Sequence, residues 1–231
     1  MLKSIGIGAE LFHKLIENDC YYVDKTPLIR TVFKVNKADV MLITRPRRFG
    51  KTLTMSTFYD FLSLNIENPG DVSLQEKWFK DTKIFEDKEF CNEYMGKFPV
   101  IFVSFKTIVH QNFNDAYNQF ATLIYRLALQ FEYLAASDEL SDKQKEQYAN
   151  LSNYEKLTDR TNKSYLTGSL QTLSCLLEAH HKIKPVILID EYDVPIAKAA
   201  YHGYYDEMIE LISPFYNDTL KTNTYLERAV L

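Results

Sequence analysis

The 231-residue chain is long enough for one large domain or two small ones, and 46% hydrophobic residues can fill a core without disulfides or metals. Its formal net charge of −4 gives no general reason to expect nucleic-acid binding, which usually needs a basic excess. Three widely spaced cysteines, no charged-then-apolar leader and no apolar run near the roughly 20 residues of a membrane span predict a cytoplasmic protein with no membrane contact.

The first half of the chain reads as strand, helix, strand, helix. Apolar residues predict a buried strand at 40–44, and apolar residues at helical spacing from Leu53 predict a helix that ends before Asn68-Pro69-Gly70. A second strand is predicted at 99–105, followed by a long amphipathic helix over 113–134.

The second half begins with a polar stretch, 137–164, which carries both signs of charge and predicts a solvated excursion or an exposed helical hairpin inserted into the domain. A helix is then predicted up to about His181, a very hydrophobic strand at 186–189 and a last helix at about 203–222. The final residues, 229–231, resemble the opening of another buried strand, so we expect a domain over 1–231 that is incomplete at its C-terminus.

Strands that alternate with helices predict an α/β fold, with a mainly parallel sheet between two helical layers. Gly50-Lys51-Thr52 matches the end of the pattern G-x-x-x-x-G-K-[ST], directly after a predicted strand and before a predicted helix. This half of the motif predicts that the α/β fold is the three-layer sandwich of P-loop nucleoside triphosphatases. Arg45 stands where the pattern has its first glycine, so the motif alone is weak, and an incidental lysine at a helix start is the alternative.

In a P-loop, backbone N–H groups and the helix N-terminus surround the phosphates, the lysine reaches the β and γ phosphates, and the hydroxyl binds Mg²⁺. Lys51 and Thr52 are therefore the candidates for these two roles. Arg47 and Arg48 can line the triphosphate, since guanidinium groups suit phosphate oxygens, or face a partner domain or nucleic acid.

A second motif supports the first. The strand predicted at 186–189 runs into Asp190-Glu191, the Walker B pattern, and brings both acids to the carboxyl edge of the sheet, where ligands bind in open α/β folds. Asp190 is the predicted Mg²⁺ ligand, and Glu191 is the predicted catalytic residue that orients the attacking water. The wide gap between the motifs, with a strand at 99–105 inside it, points to the additional-strand class of P-loop proteins.

At these residues the sequence resembles the AAA-ATPase-like family of bacterial proteins, many of which carry a PD-(D/E)XK nuclease-like domain further along. The stretches that carry the resemblance are YYVDKT at 21–26, TRPRRFGKT at 44–52, PVIFVSF at 99–105 and LIDEYD at 188–193. The family itself has arginine in place of the first glycine, so Arg45 agrees with the resemblance.

The resemblance implies that a box before the first strand, with Tyr22, Asp24 and Lys25, lies against the adenine base. The alternative is a packed edge strand at 21–23 with Asp24 as a helix cap. The expected nucleotide-binding set joins this box to the loop and the first helical turn, and its members are Tyr22, Asp24, Lys25, Arg47, Arg48, Phe49, Gly50, Lys51, Thr52 and Leu53.

The predicted function is Mg²⁺-dependent ATP hydrolysis that changes the conformation of an effector domain, nuclease-like by resemblance. A nucleotide-gated switch with little turnover is the alternative, because the sensor residue and arginine finger of related ATPases are not found in this sequence. A third possible function is the ATPase part of a nucleic-acid-processing protein. ATP is expected over GTP because no NKxD-type motif follows Asp190.

Overall fold

The computed structural model describes residues 4, 6, 8–35, 38–44 and 49–231. Its centre is a parallel sheet of four strands in the order β1-β4-β3-β2. The strands are β1 Val40–Met41, β2 Val100–Ser104, β3 Val186–Asp190 and β4 Arg228–Val230. The predictions of strands at 99–105, 186–189 and 229–231 are confirmed.

Twelve α-helices surround this sheet in the described part of the chain. They are α1 Phe12–Glu17, α2 Pro27–Arg30, α3 Lys51–Leu62, α4 Ser73–Phe79, α5 Lys88–Tyr94, α6 Phe113–Leu129, α7 Asp142–Leu151, α8 Tyr154–Thr158, α9 Ser164–Thr167, α10 Ser169–His181, α11 Val194–His202 and α12 Tyr205–Tyr216. Short 3₁₀ segments occur at Lys83–Glu86, Phe105–Thr107, Glu132–Ala136 and Arg160–Asn162, and π-helical turns at Thr31–Val35 and Asn217–Lys221.

β3 is buried at all five positions and β2 and β4 at most of theirs, while β1 is half-buried. Strands covered on both faces read as continuous apolar runs rather than alternating ones. Residues that alternate along β3 enter different cores: Ile187 and Ile189 face one, and Val186 and Leu188 face the other. The first core includes α6, α10 and α12, and the second includes α1, α3 and α5. The chain therefore forms three layers.

The strand before the phosphate loop is shorter than expected. Only two residues of the predicted 40–44 form β1, although Ile43 still donates its N–H to the carbonyl of Leu231 at 2.7 Å. The polar stretch 137–164 forms α7 and α8. Their side chains Tyr148, Leu151 and Leu157 are buried in the first core, so this hairpin packs onto the domain and is not simply solvated.

The order of the strands places the two predicted motifs on either side of one strand. β1 leads to the loop, β3 ends at Asp190, and β4 pairs with both. The strand predicted at 99–105 lies within the gap in sequence, but in the sheet it is the neighbour of β3 on the far side from β1. All strands are parallel, so their carboxyl ends meet at one edge.

Candidate nucleotide site

The candidate site begins at Gly50, the residue that precedes α3. Its φ of +74° is in the left-handed region, which glycine adopts without the cost that a Cβ would bring. The next two residues, Lys51 and Thr52, form the first turn of this 12-residue helix. The unpaired N–H groups and the positive end of the helix dipole at such a turn attract anions.

One hydrogen bond joins the two motifs. The hydroxyl of Thr52 donates to Oδ2 of Asp190 at 2.9 Å, across 138 positions of sequence. Asp190 is 2% exposed, and no cation of the described chain lies within ion-pairing distance of its carboxylate. Among the described residues its carboxylate has the Thr52 hydroxyl as hydrogen-bond partner, and a buried carboxylate without a cation beside it retains strong affinity for one. Hydroxyl and carboxylate oxygens are also the ligand types that Mg²⁺ prefers, so these two residues fit a Mg²⁺ site.

Glu191 has an unusual backbone. Its φ of +54° is left-handed, a conformation that costs a residue with a Cβ about 1–2 kcal/mol. Such strain is common at functional sites, where it holds a side chain in one direction. Lys51, Asp190 and Glu191 all line one small cavity of about 20 Å³, so the lysine and both acids meet at the same place.

A larger cavity, of about 370 Å³, lies between the N-terminal segment and the start of α3. Its volume is within the range of small-molecule sites. Five residues expected to bind nucleotide line this cavity: Tyr22, Lys25, Phe49, Gly50 and Leu53. The rest of its wall consists of Gly6, Ala9, Leu15, Tyr21, Val23 and Thr54. Tyr21, Val23 and Phe49 are 63%, 61% and 57% exposed, which leaves apolar surface open at its mouth.

Within the box at 21–26, the side chains of Asp24 and Lys25 have defined contacts. Lys25 donates from Nζ to the carbonyl of Phe49 at 2.7 Å and so connects the box to the loop. Asp24 accepts from the N–H and the hydroxyl of Thr26 at 2.8 and 2.7 Å, and from the N–H of Lys83 at 2.7 Å. Asp24 therefore closes a turn just before α2, but the N-cap of that helix is Thr26 and no side chain makes a capping hydrogen bond to it. Asp24 does not line the cavity between the box and α3.

The edge strand predicted with Asp24 as a helix cap does not form, since residues 21–25 have no strand structure. Tyr22 is half-buried, with its ring edge-on to Phe12 at 5.0 Å between centroids. Burial raises the pKa of its phenol, which therefore stays neutral. A second cavity, of about 560 Å³, is also lined by Tyr22, and none of the described loop or Walker B residues line it.

Two residues near the acids were not identified from the sequence. Lys106 follows β2 and forms an ion pair with Glu10 just before α1. The Glu10 contact raises the pKa of Lys106 most, and the charges of Asp190 and Glu191 raise it further. The signal in the sequence is weak: a lone lysine just after the strand predicted at 99–105.

The arginines of the loop, Arg45, Arg47 and Arg48, lie outside the described residues. Lys51 and Thr52 are among the described residues and occupy the predicted positions at the start of α3.

His180 and His181 end α10, where they form hydrogen bonds with Ser137 and Tyr133 at 2.7 and 2.8 Å. Within the described ranges, no three His, Cys, Asp or Glu side chains cluster as a metal site would require.

This small, all-parallel sheet with helices on both sides fits a P-loop-like fold. The family model described as "Predicted AAA-ATPase" matches residues 6–231, nearly the whole chain. The chain therefore belongs to the AAA-ATPase-like family, as the resemblance indicated. Membership implies nucleotide binding, usually with Mg²⁺.

Comparison with curated proteins and with solved structures gave no significant match. None of the described helices has the length and apolar character needed to cross a membrane.

Proposed function

We propose that this protein binds ATP with Mg²⁺ and hydrolyses it at the carboxyl edge of the sheet. The observation that carries the proposal is the Thr52–Asp190 hydrogen bond, which connects the first turn of a phosphate-binding helix to a buried acid at the end of β3. The insertion of β4 between β1 and β3 supports assignment to the additional-strand class.

In the proposed site, Lys51 and the N–H groups of the first α3 turn bind the phosphates. Thr52 and Asp190 would hold Mg²⁺, whose charge offsets that of the triphosphate. Arg47 and Arg48 are proposed to add cations from the loop. The base occupies the cavity of about 370 Å³, against Tyr22, Phe49 and Leu53.

Glu191 is the proposed general base, since its left-handed backbone fixes the direction of its carboxylate beside Asp190. The oxygen of a water molecule forms a bond to the γ-phosphorus, and Glu191 accepts the proton that this water loses. The bond from the γ-phosphorus to the bridging oxygen breaks, and its electron pair leaves with ADP. Lys51 balances the charge that gathers on these oxygens.

Two variants test the site. Lys51→Ala is expected to weaken ATP binding by about 100-fold or more, since a charge-assisted contact to phosphate is lost. Glu191→Gln should retain binding and abolish phosphate release. The matched control is Lys182→Ala, because Lys182 ends α10 and lies before β3, at the opposite edge of the sheet. Equal ATP binding by Lys51→Ala and the wild type would disprove the assignment.

A nucleotide-gated switch with little turnover is the second candidate. Its support is that the small cavity shared by Lys51 and the acids, about 20 Å³, holds roughly one water, so the two sides of the site lie close together. Hydrolysis and switching are separated by one measurement: steady phosphate release that Glu191→Gln removes excludes a passive switch. We also propose that the protein acts on an effector domain or on nucleic acid. A reducing, cytoplasmic environment is a further proposal, which the three free cysteines support.

A further inference from the structure

Lys106 lies on the same edge of the sheet as the proposed phosphate site. Ser104, the last residue of β2, pairs in register with Asp190 of β3. The 3₁₀ turn Phe105–Thr107 then carries Lys106 beyond that edge. The lysine is therefore two residues past the level of the buried acid on the neighbouring strand.

Three carboxylates act on Lys106. Its ammonium contacts the carboxylate of Glu10, and the carboxylates of Asp190 and Glu191 act on it as well. Because Lys106 lies beyond the same edge of the sheet as both motif acids and their charges act on it, it can also act on an anion that these acids and Mg²⁺ would bind there.

The contact with Glu10 is easily exchanged. Both side chains are more than half exposed, 60% for Lys106 and 55% for Glu10, and such surface pairs contribute little free energy. A phosphate group carries more charge and more acceptor oxygens than a carboxylate. A phosphate placed near this ammonium therefore competes well with Glu10.

Glu10 belongs to the N-terminal segment that lines the cavity of about 370 Å³. Its neighbour Ala9 lines that cavity beside Gly50, and Gly8 turns the chain there with a φ of +77°. The Glu10 carboxylate reaches from this segment to Lys106, just past the end of β2, and its charge would repel a triphosphate bound nearby.

We propose that Lys106 distinguishes ATP from ADP by exchanging Glu10 for the terminal phosphate. This inference rests on the proposed function. Lys106 is a second phosphate-binding lysine, supplied by the turn after β2, and Glu10 is its competitor. Release of Glu10 frees the N-terminal wall of the cavity only when a triphosphate is present.

The test compares Lys106→Met and Glu10→Gln by titration calorimetry with ADP and with β,γ-imido-ATP, which is not hydrolysed. Lys106→Met should weaken binding of the ATP analogue about tenfold, and Glu10→Gln should tighten it about threefold. Binding of ADP should change less than about twofold in both. The opposite signs are decisive, since an ion pair that only fixes the N-terminal segment would give both variants the same sign.

The control pair is Lys182–Glu139, which is 66% and 55% exposed and lies 2.8 Å apart beyond the end of α10. Lys182→Met and Glu139→Gln should leave both affinities unchanged. If Lys106→Met binds the analogue like the wild type, or loses the analogue and ADP equally, the exchange does not occur. If the wild type and Lys51→Ala both fail to bind either nucleotide, the proposed function itself fails. Binding that needs Lys51 but not Lys106 overturns this inference alone.

Discussion

The left-handed backbone at Glu191 leads to a prediction that distinguishes the strain of its backbone from the catalytic role of its side chain. Replacing Glu191 by glycine or by alanine removes the same carboxylate, so both variants should bind nucleotide without hydrolysing it. They differ only in that alanine keeps the Cβ that a φ of +54° disfavours. Comparison of these two variants therefore measures the backbone strain, with the loss of the side chain cancelled.

The magnitude follows from two opposing effects. A left-handed residue with a Cβ costs about 1–2 kcal/mol, which glycine avoids. Glycine also gives the unfolded chain more freedom, which lowers stability by about 0.4–1 kcal/mol. We expect Glu191→Gly to be more stable than Glu191→Ala by about 0.5–1 kcal/mol. For a chain of this length that difference raises the Tm by about 1–4 °C.

The assay is urea unfolding followed by circular dichroism, with Tm as a second reading. Lys182 provides the matched control, because its φ of +59° is also left-handed and it lies at the end of α10. Lys182→Gly should exceed Lys182→Ala in stability by a similar amount. A preference for glycine at 182 but not at 191 would show that Glu191 is unstrained in solution and refute the argument that its carboxylate is held in a fixed direction.

Two further predictions concern groups away from the phosphates. Burial lowers the pKa of His181 to about 4, so the folded chain binds fewer protons than the unfolded chain, whose histidine titrates near 6.5. Stability should therefore fall as the pH drops from about 6.5 to about 4, by on the order of 1–2 kcal/mol after allowance for partial exposure, and His181→Gln should lose this component of the pH profile measured by urea unfolding. His13→Ala should cost about 1–3 kcal/mol, since it leaves the 4% exposed carboxylate of Asp60 without the Nδ1 contact at 3.1 Å. In an Asp60→Asn background the same change should cost less than about 1 kcal/mol, and equal costs in both backgrounds would show that the pair has no coupling energy.

The buried strands and the helix after the loop were predictable because their sequences meet one strong requirement each. β3 is buried at all five positions, so no polar residue interrupts it before Asp190. α3 begins directly after Gly50, where the glycine and the following apolar spacing agree. In both cases the local pattern and the tertiary environment select the same structure.

Where the local pattern and the packing disagree, the prediction was incomplete. β1 needs only two strand residues because it is held by pairing with β4, about 190 positions later in the chain, which no local pattern reveals. The α7–α8 hairpin looked exposed because its residues are mostly polar, yet Tyr148 and Leu157 supply enough apolar surface to cover α6. Helix α11 was missed altogether.

The candidate site divides in the same way. Thr52 and Asp190 were predictable because two short motifs name them, and the parallel sheet brings the motifs to one edge. Glu10 and Lys106 belong to no motif, and they meet only because the N-terminal segment returns across the end of β2. Such a contact is determined by the path of the chain, so sequence spacing carries no information about it.

The same division suggests how the site could respond to nucleotide. The contacts fixed by the motifs lie deeper: Asp190 is 2% exposed and, among the described residues, accepts a hydrogen bond from the hydroxyl of Thr52. Breaking them costs free energy in the bound and the free protein alike, so they are suited to hold the phosphates in place. The contacts that the motifs do not name, Lys25 with Phe49 and Lys106 with Glu10, are exposed and link the N-terminal segment to the edge of the sheet. Because exposed polar contacts exchange with small changes in free energy, a ligand can bias them. We therefore expect nucleotide-dependent movement to begin in the N-terminal segment, with α3 and β3 as the fixed frame.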